Sequence, residues 1–239
     1  MQEENVDIEY EAIVIPVHID LDSFTLAAVC PELPAHPNVS VADAIEFRMD
    51  YSENPLEALT NYGGDLPLIA TNRRKAEGGF ADSKGRIDTL VAAAKSPAVA
   101  AIDIELASVS KADVDELLTF CNISDTAVIV SWHDFDGTPD VEEMVHRLHS
   151  AASYGDIAKI AVTATDSSDV LDLLRVTHQV SQEGIAVATM AMGAVGRHSR
   201  IIAPLYGSRI GYAPMDPSQA TAPGQYDLET MAELIEALR

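Results

Sequence analysis

The most informative stretch of the chain reads Ile157-Ala158-Lys159-Ile160-Ala161-Val162-Thr163, an almost continuously apolar run that contains a single lysine. A parallel strand that is covered on both faces has this unbroken pattern, whereas a strand with one face in water alternates apolar and polar residues. Further runs of the same kind occupy residues 12–17, 45–50, 66–71, 99–106, 127–133, 185–192 and 210–214. The pattern therefore predicts eight buried parallel strands.

Helix-like stretches lie between these runs, at residues 86–95, 113–121, 139–152 and 168–181. Thr138-Pro139 with Glu142, and Ser110 with Asp113, are typical of helix N-termini. Eight strand–helix units in 239 residues, without a Pro/Gly/Ser-rich linker, predict one (β/α)8-barrel (TIM-barrel) domain over residues 1–239. A doubly wound open sheet is the alternative, but no Gly-rich dinucleotide-binding fingerprint follows the first predicted strand.

The charge balance is strongly acidic. The chain has 38 Asp and Glu residues against 15 Lys and Arg, which gives a formal net charge of -23. Nucleic acids and anionic membranes need neutralising cations, so this balance disfavours both as partners. One interpretation is a site for a cationic partner. The acids are scattered rather than grouped, which favours the second interpretation, an acidic surface adapted to high salt.

The remaining composition predicts a soluble cytoplasmic protein. Cys30 and Cys121 lie in different segments without metal-ligand spacing, as expected of reduced thiols. No stretch approaches the roughly 20 apolar residues that span a bilayer. The first residues, Met-Gln-Glu-Glu-Asn, lack the charge pattern of a signal peptide.

Polar residues recur where the predicted strands end, which is where barrel enzymes place their active sites. Charges alternate along Glu46-Phe47-Arg48-Met49-Asp50, so that they share one face of the strand. Later strands end in Thr71-Asn72-Arg73, in Asp103-Ile104-Glu105 and in Ser131-Trp132-His133. The convergence of these strand ends predicts a polar site at one mouth of the barrel.

Lys159 is the sharpest single signal in this set. A lysine within an apolar strand loses much of the solvation of its ammonium group, and amines in such settings act as nucleophiles towards carbonyl groups. The alternative is a structural lysine that is ion-paired with a strand-end acid such as Glu105 or Glu46. The sequence by itself leaves both interpretations open.

His133, one strand away, is either a histidine satisfied within the core or a general acid/base near neutral pH. Glu77 is either an exposed loop charge or the carboxylate that orients the His133 ring. Three arginines offer guanidinium groups that suit a substrate carboxylate, although each is also compatible with a structural ion pair. These arginines are Arg48, Arg73 and Arg200.

Taken in order, these pieces resemble the type I 3-dehydroquinate dehydratases of the shikimate pathway of aromatic amino acid biosynthesis. The matching motifs run from the second strand almost to the end of the chain. They are Glu46-Phe47-Arg48-Met49-Asp50, Arg73 to Gly79, Ser131-Trp132-His133-Asp134-Phe135, Ala158-Lys159-Ile160-Ala161-Val162, Thr189-Met190-Ala191-Met192-Gly193, Ser199-Arg200, Tyr206-Gly207-Ser208 and Thr221-Ala222-Pro223-Gly224-Gln225. Together with the acidic composition, they point to a member from a halophilic archaeon.

The resemblance implies a lyase that dehydrates 3-dehydroquinate through a Schiff base, without a metal or an organic cofactor. It implies Lys159 as the Schiff-base lysine, His133 as proton donor and acceptor, and Glu77 as the partner of His133. It also implies that the substrate is bound by Glu46, Arg48, Arg73, Arg200, Thr221 and Gln225. Family members are often dimers, so a homodimer is expected.

The chain departs from the family pattern in two places. Thr221 stands where members often have serine, which keeps a hydroxyl group. Ile15-Pro16-Val17-His18 does not reproduce the serine-bearing first strand of bacterial members, so no substrate contact is predicted there. The alternatives to a dehydratase are a Schiff-base class I aldolase and a non-catalytic metabolite-binding barrel.

Overall fold

The computed structural model describes residues 18–20, 22–109 and 114–238 of the chain. Its eight strands, β1 to β8 in chain order, are Thr25–Cys30, Ala44–Arg48, Leu68–Thr71, Val99–Glu105, Ala127–His133, Ile157–Thr163, Val187–Met192 and Ile210–Pro214. They form one parallel sheet in the order β7-β6-β5-β4-β3-β2-β1-β8. The predicted (β/α)8 barrel is confirmed.

The barrel closes unevenly. β8 pairs with β1 from Thr25, opposite Ile210, to Val29, opposite Pro214. Between β7 and β8 the ladder is reduced to an isolated parallel bridge of Val187 with Ser208, next to which the N–H of Arg209 donates to the Val187 carbonyl at 2.7 Å. This seam is the weakest strand–strand junction of the barrel.

Helices follow the strands and cover the sheet from outside. In chain order α1 to α9 are Pro55–Thr60, Arg86–Ala94, Leu106–Val109, Asp115–Ser124, Val141–Ala152, Ser167–Gln182, Gly193–Gly196, Ser199–Ile202 and Leu228–Leu238. Short 3-10 turns lie at Met49–Tyr51, Lys75–Glu77, Ala203–Tyr206 and Pro217–Gln219. Among the helices described, none is both long enough and apolar enough to cross a membrane.

The first strand differs from the prediction. Residues 12–17 lie outside the described residues, and the strand that pairs with both β2 and β8 is β1, Thr25–Cys30. This segment, Thr-Leu-Ala-Ala-Val-Cys, is short and rich in alanine, so it has a weaker apolar signal than residues 12–17. The other seven predicted strands are confirmed: three have the predicted ends, and the ends of the other four shift by at most two residues.

One predicted helix start is wrong. Asp140, not Thr138-Pro139, caps α5: its carboxylate accepts a hydrogen bond from the N–H of Glu143 at 2.8 Å. An aspartate directly before the first turn satisfies a free backbone N–H more readily than a residue two positions further out. The other predicted cap, Ser110 with Asp113, lies outside the described residues.

The interior of the barrel is layered, because alternate residues of each strand face inwards. On β6, Ile157 and Ala161 pack within the barrel while Ile160 packs outwards against the helices, and Lys159 shares the inward face. The layer nearest the amino ends of the strands is apolar. At the level of Lys159 the interior becomes polar, because Glu46, Asp103 and Ser131 are buried beside it. We call these four residues the polar layer.

Candidate active site

One cavity lies at the carboxyl end of the barrel, directly above the polar layer. All nine residues predicted from the sequence line it, namely Lys159, His133, Glu77, Glu46, Arg48, Arg73, Arg200, Thr221 and Gln225. Its walls also include Phe135, Met190, Met192 and Tyr212, which the sequence did not single out. The residues that were predicted from six separate segments of the sequence therefore lie together at one mouth of the barrel.

Lys159 lies deep in this cavity and is 4% exposed. Its Nζ donates to Oδ2 of Asp103 at 2.8 Å and lies 3.7 Å from Oε1 of Glu46. The ring of Tyr212 covers it on another side, with 3.9 Å between Nζ and the ring centroid. The apolar strand indicated by the sequence therefore surrounds the stem of the side chain, whereas the amine ends beside Asp103 and Glu46.

Asp103 links Lys159 to a buried ionic network. Its Oδ1 pairs with Nη2 of Arg73 at 2.7 Å and accepts the hydroxyl of Ser131 at 2.6 Å. Burial alone would raise the pKa of Asp103, but the positive charges of Arg73 and Lys159 outweigh it and hold the pKa well below its ordinary value. Asp103 is therefore a permanent carboxylate that fixes the position of the Lys159 amine.

Arg73 is committed to this network rather than free for a ligand. Its Nη1 donates to Ser131 at 2.6 Å and lies 3.3 Å from Oε1 of Glu105, whose Oε2 is 2.8 Å from Nη1 of Arg86. Burial would lower the pKa of Arg73, but Asp103 and Glu105 raise it above its ordinary value. Glu105, which the sequence offered as a partner of Lys159, instead joins these two arginines.

Arg48 also carries its own counter-charge. Its Nε and Nη2 donate to the two carboxylate oxygens of Asp50 at 2.9 and 2.8 Å, and the guanidinium lies 4.8 Å from the centroid of the Tyr51 ring. Glu46, on the same strand, accepts the hydroxyl of Thr71 at 2.9 Å. This side of the cavity offers paired charges, which suit the hydroxyl groups of a ligand better than a second anion.

Arg200 is the exception among the cations of the site. It is 4% exposed, its Nη2 donates to the carbonyl of Pro223 at 3.2 Å, and its Nε has no hydrogen-bond partner among the described residues. Burial lowers its pKa to about 10. No carboxylate of the described chain is paired with it, so its counter-charge has to come from a ligand.

The segment beside Arg200 is organised by Gln225. Its Oε1 accepts the N–H groups of Thr221 at 3.0 Å and Ala222 at 3.2 Å, and the turn passes through Gly224 at a positive φ of 79°. A Cβ at Gly224 would lie 2.5 Å from the carbonyl oxygen of Gly193, so glycine is required there. The turn holds a hydroxyl and an amide next to the guanidinium, as carboxylate recognition requires.

His133 and Glu77 form a buried pair on the opposite side. Nδ1 of His133 lies 3.1 Å from Oε2 of Glu77, which leaves Nε2 as the ring nitrogen available to a ligand. Burial raises the pKa of Glu77 to about 7. Burial, with the charges of Arg73 and Lys159, lowers the pKa of His133 well below its ordinary value, so that the imidazole is neutral. The pair can exchange one proton near neutral pH.

Local structure holds this pair in place. Glu77 ends the 3-10 turn Lys75–Glu77, and Gly78 follows it at a positive φ of 76°. A Cβ at Gly78 would collide with the ring of Phe135, which stacks on His133 with 6.2 Å between ring centroids. Glycine is therefore needed at this position for the turn and also to leave room for the Phe135 ring that stacks on His133.

The sequence placed Asp103 at one of the converging strand ends but gave it no role, and it missed Tyr212 as part of the site. Asp103 precedes Glu105 by two residues on β4, so both face inwards, and the spacing gives no sign of which one reaches Lys159. Tyr212 is the single polar side chain of β8, Ile-Gly-Tyr-Ala-Pro, and that feature could have drawn attention to it.

A larger cleft lies at the other end of the barrel, against Cys121, Asp125 and Asp156. None of the residues that line it is a lysine or an arginine, so it does not suit an anionic ligand. Within residues 18–20, 22–109 and 114–238, no three His, Cys, Asp or Glu side chains are grouped as metal ligands. The cavity above the polar layer is the better candidate for chemistry.

Comparison with known sequences gives a consistent result. The model of the type I 3-dehydroquinase family matches residues 23–239. A 3-dehydroquinate dehydratase of Haloarcula marismortui is 48% identical over 226 residues, which cover 92% of this chain and 99% of that protein. A 3-dehydroquinate dehydratase of Halobacterium salinarum is 46% identical over 226 residues, covering 92% of this chain and all of that protein (100%).

Solved structures agree. A 3-dehydroquinate dehydratase from Geobacillus kaustophilus superposes with a TM-score of 0.78 at 27% identity, covering 90% of this chain and 91% of that one. A type I 3-dehydroquinate dehydratase from Clostridium difficile superposes with a TM-score of 0.79 at 26% identity, covering 90% and 92%. On the match of nearly the whole sequence and of the barrel, this chain belongs to the type I 3-dehydroquinase family.

Proposed function

We propose that the chain dehydrates 3-dehydroquinate to 3-dehydroshikimate through an imine on Lys159, as a lyase of the shikimate pathway. The observation that carries the proposal is that one buried cavity holds both the Lys159 amine and Arg200, for which the described residues supply no carboxylate partner. A ketone that also bears a carboxylate satisfies both groups at once. Membership of the type I family supports the same reaction.

Two groups of residues in the cavity bind different parts of the substrate. Arg200, with Thr221 and Gln225, binds the carboxylate, because Arg200 is the buried cation that no acid of the described chain neutralises. Glu46 and Arg48 bind substrate hydroxyl groups through oxygens and N–H groups that already form paired charges. Arg73 contributes mainly by holding Asp103, since both of its terminal nitrogens are engaged.

The first step is attack of the Lys159 amine on the C3 ketone. Only the unprotonated amine attacks, so any proton carried by Nζ beside Asp103 and Glu46 has to leave before the C–N bond forms. Asp103 cannot accept it, because the pKa of that carboxyl is held low by Arg73 and Lys159 against the effect of burial. The pair of His133 and Glu77 can accept it, since the pKa of Glu77 is about 7.

Loss of water from the carbinolamine gives the imine, which is a better electron sink than the ketone. His133 then removes a proton from C2, and the electrons form an enamine. The enamine expels the C1 hydroxyl, to which His133 returns the proton, so that water leaves. Hydrolysis of the imine releases 3-dehydroshikimate and restores Lys159. A positioned acid/base of this kind is worth about 10²–10⁴-fold in rate.

Turnover tests the proposal and separates it from its rivals. The purified protein should convert 3-dehydroquinate to a product with the absorbance of a conjugated enone. His133→Ala should lose that activity by about 10²–10⁴-fold, yet still form the imine with the substrate. No turnover by the wild type would favour a non-catalytic binding barrel, and cleavage of a carbon–carbon bond would favour an aldolase.

We further propose a single-domain, cytoplasmic homodimer that has no nucleic-acid or membrane partner. The net charge of -23 supports the last two points, since like charges repel. The expectation of a dimer comes from the family, and light scattering at high salt tests it. A molar mass that corresponds to a monomer would contradict the proposed homodimer.

A further inference from the structure

Two buried side-chain polar atoms have no hydrogen-bond partner within the described part of the chain. They are Nε of Arg200 and the hydroxyl oxygen of Tyr212, and both residues line the cavity above the polar layer. Folded proteins pair the great majority of such atoms, and each exception calls for an explanation. Arg200 is explained by the substrate carboxylate, whereas nothing derived above explains Tyr212.

Tyr212 lies within the barrel, on β8, and is 4% exposed. Its ring is in contact with the Lys159 amine, with 3.9 Å between Nζ and the ring centroid. The ring therefore borders the position of the substrate carbon that becomes bonded to Nζ. The hydroxyl at the edge of this ring belongs to a residue that lines the same cavity as Lys159.

The Tyr212 hydroxyl has a proton to donate and no acceptor among the residues that the structure describes. Burial raises the pKa of the phenol well above its ordinary value, and the negative charges of Glu46 and Asp103 raise it further. Neither carboxylate accepts a hydrogen bond from the hydroxyl, which has no partner among the described residues. Asp103 already accepts hydrogen bonds from Ser131 and Lys159 and pairs with Arg73, and Glu46 accepts one from Thr71. A substrate oxygen in the same cavity can serve as the acceptor.

We propose that the Tyr212 hydroxyl donates a hydrogen bond to a substrate oxygen on, or next to, the carbon that Lys159 attacks. The proposal rests on the proposed function, because it uses the substrate held at Lys159. Tyr212 is then a specificity-determining residue. It favours a substrate that carries an oxygen at this position over an analogue that carries only hydrogen there. The phenol keeps its proton throughout, so no additional acid or base is involved.

Tyr212→Phe tests this with little risk to the fold, since it keeps the ring under Lys159. With 3-dehydroquinate, kcat/KM should fall by roughly three- to tenfold, the range for one hydrogen bond between uncharged groups. The ligand-free variant should unfold at the same temperature as the wild type or a higher one, because a buried unpaired hydroxyl is removed. An unchanged kcat/KM would overturn the proposal.

Tyr62→Phe is the matched control. The Tyr62 hydroxyl donates to the carbonyl of Leu66 at 2.8 Å, away from the cavity. This variant should therefore lose thermal stability and keep its kcat/KM, the reverse of Tyr212→Phe. If Tyr212→Phe instead lowered the unfolding temperature as Tyr62→Phe does, its hydroxyl would have a partner within the protein, and the proposal would be wrong.

A second ligand separates this proposal from the proposed function. Quinate carries a hydroxyl in place of the ketone, so it binds without forming an imine. Calorimetry should show that Tyr212→Phe binds quinate more weakly than the wild type by a similar factor. If the wild type fails to turn over 3-dehydroquinate, the proposed function falls, while the quinate comparison still decides for or against the Tyr212 contact.

Discussion

Lys159 and Arg200 are two buried cations of the same cavity, and the protein treats them in opposite ways. Nζ of Lys159 has Asp103 at 2.8 Å and Glu46 at 3.7 Å. Arg200 has only the carbonyl of Pro223, at 3.2 Å, and its Nε is unpaired among the described residues. The first cation is balanced before any ligand arrives, whereas the second is not.

This difference separates chemistry from recognition. A balanced lysine is held in one position by its carboxylate partners, from which it can attack a carbonyl carbon. An unbalanced arginine gains its largest stabilisation when an anion binds, so it directs a carboxylate to one end of the cavity. In the proposed binding mode the carboxylate lies at Arg200 and the ketone of the same molecule lies towards Lys159.

Removal of the balanced cation should have the largest effect. Lys159→Ala should lower kcat/KM by about 10⁴-fold or more, because the covalent step is lost. The fold should persist, since Asp103 keeps Arg73 and Ser131 as partners. Steady-state kinetics and circular dichroism check the two points. Lys95→Ala, at an exposed position, is the control and should retain full activity.

Two arginine variants then test the contrast directly. Arg200→Ala should raise KM by about 10- to 100-fold, the range for a charge-assisted hydrogen bond, without lowering the stability of the ligand-free protein. Arg73→Ala should lower the free energy of unfolding by about 3 kcal/mol, because it removes a buried partner of Asp103 and Glu105. Kinetics and denaturant titration measure both. An Arg200→Ala protein with normal KM and reduced stability would contradict the contrast.

A smaller effect is expected with pH. Because the pKa of Glu77 is raised to about 7, kcat/KM should rise as pH increases through about 7, where the ionised carboxylate can support a positive charge on His133. Glu77→Gln should lose about tenfold in kcat/KM at pH values above that pKa, and it should lose the rising limb. If kcat/KM of Glu77→Gln still rises with pH as it does in the wild type, a group other than Glu77 causes the rise.

The same shift affects stability in the opposite direction. A pKa raised from 4.5 to about 7 means that protonated Glu77 stabilises the fold fully below about pH 4.5. That contribution is lost as pH rises through about 7. Activity and stability should therefore change in opposite senses across this interval in the wild type, and Glu77→Gln should remove both changes.

The mildest effect should come from salt, which acts on the surface and not on the buried pairs. Raising KCl from about 0.1 M to about 1 M shortens the screening length from about 10 Å to about 3 Å. With a net charge of -23, this relief of self-repulsion should raise the thermal unfolding midpoint by about 4 °C or more. A midpoint that does not depend on salt would contradict the proposed adaptation.

Most of the fold was predictable because buried parallel strands leave an unbroken apolar pattern. β4, β5 and β6 were located to within a residue on this basis alone. β1 was not, because Thr25–Cys30 is recognisable as a strand mainly by its two neighbours in the closed sheet, β2 and β8. Those pairings are tertiary contacts, which a local pattern does not contain.

The membership of the site was predictable for a related reason. Parallel strands bring their carboxyl ends to one mouth, so polar residues at those ends meet whatever their separation in sequence. Their pairing was not predictable. Whether Asp103 or Glu105 reaches Lys159, and whether an arginine keeps a free nitrogen, depends on strand tilt and stagger. The contrast between Lys159 and Arg200 therefore became visible only in three dimensions.

The most direct test of the Schiff-base mechanism is reduction with borohydride in the presence of 3-dehydroquinate, followed by peptide mapping. We expect one stable adduct per chain, on the peptide that contains Lys159, and none in Lys159→Ala. His133→Ala should still give the adduct. Labelling of any other lysine, or of none, while the wild type remains active, would contradict the mechanism.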